Sequence, residues 1–124
     1  MLFSIIIPCY NSSQTIFRCL DSAYALPVDE TEFEVIVVDD CSMDGTVQTI
    51  ESYAGNHSNL VLLVQPENNR QGAARNRGVS IAQGKYILFL DSDDEHDLGV
   101  LSAIALAERQ FFGDDGNEGK DDWN

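Results

Sequence analysis

The sequence predicts an open, doubly wound α/β fold with a mostly parallel sheet and helices on both faces. Three features support this fold: short runs dense in Ile, Val, Leu and Phe, helix-like stretches between these runs, and regular alternation of the two. Runs that are apolar on both faces are typical of parallel strands covered on both sides, because a half-exposed sheet would alternate apolar with polar residues. Alternating strands and helices indicate right-handed crossovers within one sheet.

Four strands are predicted from the apolar runs. They lie at residues 3–7, 34–38, 60–64 and 85–90. Their order along the chain, with a helix-like stretch after each, places all four carboxyl ends at one edge of the sheet.

The stretches between the strands have helical periodicity, with apolar residues on one stripe of each helix. The first helix is predicted at residues 14–25, with the stripe Ile16, Cys19, Leu20 and Ala23. The second is predicted at residues 46–54, with Val47, Ile50 and Tyr53. The third is predicted at residues 72–83, with Ala74, Val79 and Ala82, and a last helix is predicted at residues 98–112.

Residues that cap helices agree with these boundaries. Ser12 or Ser13 and Asp44 can cap the first two helices at their amino ends. Gly55 and Gly84 fall where a glycine is expected after a helix. Local sequence therefore supports the same alternation as the apolar pattern.

Composition limits the classes of function. A chain of 124 residues with a formal charge of −14 is expected to be one globular unit that binds neither nucleic acid nor an anionic membrane. Its three cysteines, at positions 9, 19 and 41, lack the spacing of a zinc site and are expected to be reduced and buried. No basic leader and no apolar run near the roughly 20 residues of a membrane span are seen, which predicts a cytoplasmic protein.

Acidic and polar residues follow three of the predicted strands. These rims are residues 8–11, 39–45 and 91–94. In open α/β sheets, ligands bind outside the carboxyl ends of the strands, so the three rims are expected to converge on one site. Each rim also fits an ordinary capped or solvated turn, but turns alone do not explain aspartates at the ends of two buried strands.

The acidic run after the last strand suggests a metal site. Asp91 and Asp93 are two residues apart, so in extended backbone their side chains lie on one side, with Cβ atoms about 7 Å apart. Hard cations such as Mg²⁺ and Mn²⁺ take oxygen ligands, and Mg²⁺ is often held by one or two carboxylates with phosphate oxygens and water. A divalent cation and a diphosphate are therefore expected together. An Asp-rich helix cap is the alternative.

Basic residues cluster just before the last strand. Arg70, Arg75 and Arg77 lie within eight positions of an otherwise acidic chain. Guanidinium groups pair well with phosphate, which suggests a phosphate-facing role. The alternative is that they offset neighbouring acids on an exposed helix face.

Three linked motifs resemble family 2 glycosyltransferases of the GT-A fold. They are SIIIPCYN at residues 4–11, VVDDCSMDGT at residues 37–46, and GAARNRG at residues 72–78 continuing to GKYILFLDSDD at residues 84–94. The resemblance covers residues 3 to about 97, in order and with family-like spacing. Cys41 stands where members of the family often have glycine or another small residue.

The resemblance implies inverting, metal-assisted transfer of a sugar from a nucleotide-diphosphate donor, with UDP favoured, to an unknown saccharide or lipid-linked acceptor. It implies substrate contacts from Pro8, Tyr10, Asn11, Asp39, Asp40, Arg75, Asp91 and Ser92. It implies that Asp91, Asp93 and Asp94 bind Mg²⁺ or Mn²⁺. An inverting mechanism needs a general base near the acceptor, which in the family lies downstream, so no base is assigned here.

The expected domain organisation is a nucleotide-sugar-binding unit at residues 1–112 and an acidic, disordered tail at residues 113–124, without the acceptor half of the family. This organisation leaves two expectations open: part of a longer enzyme, or a donor-binding fragment without turnover. A sheet edge meant for further strands would allow self-association. The cytoplasmic location could be at the membrane face.

Two other classes of protein share some of these features. A Mg²⁺-binding receiver domain is similarly short, acidic and doubly wound, but it needs an acidic pair after the first strand and a phospho-acceptor aspartate after the third. Here Pro8 follows the first strand and Gln65-Pro66 follows the third. A nucleotidyltransferase needs a glycine-rich, basic first loop, which residues 8–13 do not provide.

Overall fold

The computed structural model describes residues 1–25, 28–68 and 70–92, with the side chains of residues 70 and 71 left out. Strands and helices alternate in this part of the chain, as β1 (Phe3–Cys9), α1 (Ile16–Tyr24), β2 (Phe33–Asp39), α2 (Thr46–Ala54), β3 (Leu60–Val64), α3 (Arg70–Ile81) and β4 (Tyr86–Phe89). The strands form one sheet in the order β3-β2-β1-β4, and every pairing is parallel. The predicted α/β fold is confirmed.

The two faces of the sheet carry different helices. Phe3, Ile5 and Ile7 of β1 lie in the core cluster that includes α1 and α2. Ile6 lies on the opposite face, in a smaller cluster with Ala74 of α3. Successive side chains of a strand point to opposite faces, so a strand between two helical layers carries apolar residues on both faces. Burying each such side chain stabilises the fold by about 1.5–3 kcal/mol.

β1 extends further than the sequence predicts, through Pro8 to Cys9. Proline lacks an amide donor, so the strand was expected to end before it. Ile6 O accepts from Leu90 N on the β4 side, and Cys9 O accepts from Asp40 N on the β2 side. Pro8 is two residues after Ile6, so its backbone nitrogen faces the same side of β1, towards β4. The pairing of β1 with β4 has already ended there, so no hydrogen bond is lost.

The helix starts also differ from the prediction. α1 begins at Ile16, and its N-cap residue is Thr15. The backbone carbonyl of Ser12 accepts from Thr15 N and Ile16 N, so Ser12 acts through its backbone and not through a capping side chain. The N-cap residue of α2 is Gly45, although Asp44 Oδ1 accepts from Thr46 N at 3.0 Å and thus satisfies the first turn. α3 begins two residues earlier than predicted and ends at Ile81.

Several predictions concern residues outside the described ranges or are not tested by them. The helix at residues 98–112 and the tail at residues 113–124 lie outside the description. Within the described part of the chain, no helix combines the length and apolarity that crossing a membrane requires. β3 and β4 form the two edges of the described sheet, and self-association through an edge stays a prediction.

Candidate functional site

A cleft lies at the carboxyl ends of the strands, where the strand order reverses. β2 and β3 lie on one side of β1, and β4 lies on the other. The connections after β1 and after β3 therefore run in opposite directions across the sheet. Such a point is where open α/β sheets bind ligands. The cleft has a volume of about 720 Å³, within the range of ligand sites. Its lining consists of residues 8–15 with Asp40, Asp44, Ala74, Asp91 and Ser92.

The cleft brings together most of the predicted substrate-binding residues. Those that line it are Pro8, Tyr10, Asn11, Asp40, Asp91 and Ser92. Tyr10 is half exposed, whereas Asp40 is only 4% exposed. With Asp44, a stackable ring and three carboxylates thus line one space, drawn from the loops after β1, β2 and β4.

Asp39 has a different place from its neighbour Asp40. It is fully buried, and its carboxylate accepts from Ser42 N at 2.8 Å and from Ser42 Oγ. Cys9 Sγ also donates to it at 3.4 Å, and burial together with this carboxylate raises the pKa of the Cys9 thiol. The buried Asp39 therefore fixes the β2–α2 loop through Ser42. Its contact with substrate stays a prediction.

Arg75 supplies the positive charge expected beside the acidic run. Its Nη2 lies 3.6 Å from Asp91 Oδ1, and its guanidinium carbon lies 5.7 Å from the centre of the Phe89 ring. Arg75 Nε is buried and has no hydrogen-bond partner among the residues that the structure describes. Arg75 does not line the cleft itself, but it is paired with a residue that does.

The other arginines of the cluster behave differently. Arg77 Nη1 donates to Val64 O at 3.2 Å and to Gln65 Oε1, so it joins α3 to the end of β3. These contacts give Arg77 a structural role at the end of β3. The Arg70 side chain is outside the description.

Hydrogen bonds between loops shape the cleft, and the sequence did not reveal them. Asn11 N donates to Ser42 Oγ at 2.8 Å, and Asn11 Oδ1 accepts from Met43 N at 2.8 Å. Asn11 has a φ of 49°, a left-handed conformation that asparagine tolerates better than most residues. The β1–α1 loop is therefore fixed to the β2–α2 loop.

Ser12 extends this link to the loop after β4. Its backbone N–H donates to Thr46 Oγ1 at 2.8 Å, and its Oγ lies 2.9 Å from Ser92 Oγ. The Thr46 hydroxyl and N–H in turn donate to Asp44, and these bonds lower the pKa of Asp44 to about 2. Ser12 was predicted only as a helix cap. Its position in a rim loop, directly after Asn11, was the available signal for this role.

Cys41 has a positive φ of 66°, which explains why glycine is common at this position in the family it resembles. A residue with a Cβ pays about 1–2 kcal/mol in this region, and glycine does not. We expect Cys41→Gly to raise the free energy of unfolding by about 0.5–1 kcal/mol, since glycine's greater unfolded-state entropy offsets part of the gain. Urea unfolding measures this. Cys41→Ala keeps the Cβ and is the control, and an equal gain there would contradict the explanation.

Of the predicted metal ligands, only Asp91 belongs to the described part of the chain; Asp93 and Asp94 lie outside it. Within the described ranges, no three or more His, Cys, Asp or Glu side chains are grouped so as to hold a metal ion. The Asp91 side chain is about half exposed at the cleft, 48% by area, so it remains accessible to a ligand.

The chain is similar to known glycosyltransferases in sequence and structure. It is 42% identical over 94 residues to the poly(ribitol-phosphate) beta-N-acetylglucosaminyltransferase TarS of Staphylococcus aureus, covering 76% of this chain and 16% of TarS. The crystal structure of TarS 1-349 with UDP-GlcNAc superposes with a TM-score of 0.81 at 40% identity, covering 89% of this chain and 32% of that one.

A second solved structure is more distant. The mannosyltransferase PcManGT of Pyrobaculum calidifontis, in complex with GDP-Man and Mn²⁺, has a TM-score of 0.74 at 27% identity, covering 82% of this chain and 31% of that one. In these three comparisons the chain spans no more than about a third of the relative's length.

The family model for glycosyl transferase family 2 matches residues 4–109, which is most of the chain. The match includes the three motifs and the whole wall of the cleft. The chain therefore belongs to glycosyl transferase family 2.

Proposed function

We propose that the cleft binds the nucleoside diphosphate of a nucleotide sugar, with UDP as the nucleotide, and that the protein transfers the sugar to an acceptor hydroxyl with inversion. The observation that carries this proposal is that Tyr10, Asp40 and Asp91 line one cleft at the switch point of the sheet. The UDP-GlcNAc complex of TarS supports the choice of donor, because this chain superposes on that structure over most of its length.

Each of these residues has a chemistry suited to part of the donor. The half-exposed Tyr10 ring offers a flat apolar surface for the base. The Asp40 carboxylate can accept from a base N–H, and Asp91 can accept from ribose hydroxyls. Ser92 adds a hydroxyl that Ser12 holds in place at 2.9 Å. The base thus lies towards β2 and the diphosphate towards β4.

Asp91 fits a divalent cation as well. It is an accessible carboxylate at the cleft, and Mg²⁺ needs only one or two protein carboxylates when phosphate oxygens and water complete its shell. We expect Asp93 and Asp94 to be its other ligands. A bound Mg²⁺ or Mn²⁺ would offset the negative charge that develops on the leaving diphosphate. The Mn²⁺ and GDP-Man in the PcManGT structure support a metal with the donor.

Arg75 has a related role in this proposal. Its Nη2 is 3.6 Å from Asp91 Oδ1, and the side chain is 40% exposed, so a terminal guanidinium nitrogen can turn towards a phosphate oxygen beside Asp91. It also limits the charge repulsion among the carboxylates after β4. The acceptor is a saccharide or a lipid-linked saccharide, the base that deprotonates it is unassigned, and cytoplasmic location stays a prediction.

Isothermal titration with UDP and MnCl₂ tests the proposal. We expect Asp91→Asn to weaken Mn²⁺-dependent UDP binding about tenfold. A carboxylate that binds the metal contributes about 1.4 kcal/mol or more to the binding free energy, and each 1.4 kcal/mol is a factor of ten in affinity. Glu51→Gln removes an exposed carboxylate of α2 that does not line the cleft, and it is expected to leave the affinity unchanged. No heat at millimolar UDP, or equal affinity for Asp91→Asn and the unmodified chain, would count against the site.

The receiver-domain alternative is wrong. Membership of glycosyl transferase family 2 contradicts it, and β1 ends at Cys9 while Gln65 and Pro66 follow β3, so the acidic pair and the phospho-acceptor are both missing there.

A further inference from the structure

A second groove lies on the outer surface of α1 and α2, and none of the described residues that line it also lines the cleft at the strand ends. Its volume is about 590 Å³, which is within the range of small-ligand sites. Phe17 and Asp21 of α1 line one side, and side chains from α2 and the turn after it line the other. We call this feature the α1–α2 groove.

Aromatic side chains form a fixed wall of the groove. Phe17 is 54% exposed, and its ring meets the Tyr53 ring edge-on with centroids 5.6 Å apart. The Tyr53 hydroxyl donates to Asp21 Oδ1 at 2.7 Å, and its ring stacks on His57 with centroids 4.9 Å apart. His57 is itself held by Glu30 at 3.1 Å. The Tyr53 ring is therefore held by its neighbours before any ligand arrives, which lowers the entropic cost of binding against it.

The other wall is polar and uncharged. Gln48 and Ser52 are one turn apart on α2, and Asn56 lies just beyond the helix end. All three are exposed, and within residues 1–25, 28–68 and 70–92 their side chains have no hydrogen-bond partner. They offer both donors and acceptors to a ligand.

The chemistry of the groove selects among classes of ligand. Among the residues that the structure describes, no Lys or Arg lines the groove, Asp21 adds a negative charge, and the chain carries −14, so a phosphate or another anion is disfavoured. An apolar peptide would leave the polar wall buried without partners, at a cost of about 1–3 kcal/mol for each group. A ligand that combines an apolar face with a rim of neutral hydroxyls satisfies both walls.

We propose that the α1–α2 groove binds neutral sugar residues of a glycan, with the C–H face of a pyranose on Phe17 and its hydroxyls paired with Asp21 and the α2 side chains. Thr15 lines the cleft at the strand ends while Phe17, two residues later, lines the groove, so the two sites adjoin at the start of α1. The glycan site does not depend on nucleotide binding, and it can be present whether or not the proposed donor site is.

Amide NMR of the ¹⁵N-labelled full chain tests this site. The probes are three neutral tetrasaccharides, of glucose, mannose and N-acetylglucosamine, titrated to about 10 mM because a few such contacts give millimolar affinity. We expect at least one probe to shift the amides of Phe17, Ser52 and Asn56, with the shifts unchanged by saturating UDP. Phe17→Ala is expected to weaken that binding about tenfold.

Val79→Ala is the matched control, because Val79 is an exposed apolar residue of α3, outside both sites. It should bind the glycan as the unmodified chain does. Absence of shifts with all three probes would overturn the proposal and favour a protein contact at Phe17. Shifts confined to the cleft and removed by UDP, or equal binding by Phe17→Ala, would overturn it too.

Discussion

Asp40→Ala is expected to weaken UDP binding about a hundredfold. A hydrogen bond to a charged group contributes about 1.5–3 kcal/mol, and each 1.4 kcal/mol is a factor of ten in affinity. Asp40 is 4% exposed at the carboxyl end of β2, and its backbone N–H is fixed to Cys9 O at 2.9 Å. A carboxylate held this rigidly can meet a base N–H without further ordering, so its loss should appear almost entirely in binding.

The choice of nucleotide makes this prediction specific. If Asp40 accepts from the base, Asp40→Ala should reduce the preference for UDP over CDP, because cytosine lacks the ring N–H of uracil. Titration calorimetry with both nucleotides measures the ratio. Asp40→Asn preserves the shape of the buried side chain and guards against loss of fold. Its affinity for UDP should lie between those of the unmodified chain and Asp40→Ala. Unchanged affinity and unchanged preference in a folded Asp40→Ala protein would remove Asp40 from the site.

The fold could be predicted from the sequence because every apolar run is short, and the runs of β1 and β2 are buried on both faces. β3 and α2 have the predicted bounds, and the cleft lies at the predicted edge of the sheet. β1 continues through Pro8, which the sequence does not predict, because β4 ends before the point where an amide donor of residue 8 would be needed. Strand ends depend on the neighbouring strand, which local sequence does not contain.

The pair Asp39 and Asp40 illustrates how the site could have been predicted more closely. Adjacent strand residues point to opposite faces, so both aspartates cannot face one ligand. Asp39 points to the same face of the sheet as Val37, which packs towards α1 and α2. Its carboxylate accepts from Cys9 and Ser42 there. Asp40 takes the other side and lines the cleft.

The contacts between loops could not be predicted in this way. Ser12 and Ser92 are 80 residues apart in sequence, and their hydroxyls meet only because β1 and β4 are neighbours in the sheet. Neither serine has a local pattern that distinguishes it from a helix cap or a turn residue. Only the tertiary fold therefore assigns them to one hydrogen-bonded link across the cleft.

The connection between α3 and β4 depends on one glycine. Gly84 N donates to Ser4 Oγ at 2.7 Å, and Ser4 Oγ donates to Glu34 Oε2 at 2.6 Å. Gln83 N donates to the same carboxylate oxygen at 2.7 Å. Ser4 and Glu34 are both buried, so this carboxylate relies on these donors in place of water. The connection between α3 and β4 must stay close to β1 to provide them.

Gly84→Ala is expected to lower the free energy of unfolding by about 3 kcal/mol or more. A Cβ at this position would lie 2.4 Å from the Phe3 carbonyl carbon and 2.5 Å from Ser4 N, which are backbone atoms of the central strand and cannot move aside. Overpacking costs about 1–3 kcal/mol, and pulling residues 83 and 84 away weakens hydrogen bonds to a buried charge worth about 1.5–3 kcal/mol.

Urea unfolding measures the loss, and Gly72→Ala is the matched control because nothing lies within 4 Å of a Cβ there. Gly72 lies inside α3, so alanine should stabilise the chain by about 0.5–1 kcal/mol through helix propensity alone. The same substitution is therefore expected to have opposite signs at two glycines twelve residues apart. A Gly84→Ala protein about as stable as the unmodified chain would mean that the α3–β4 connection is not held against β1.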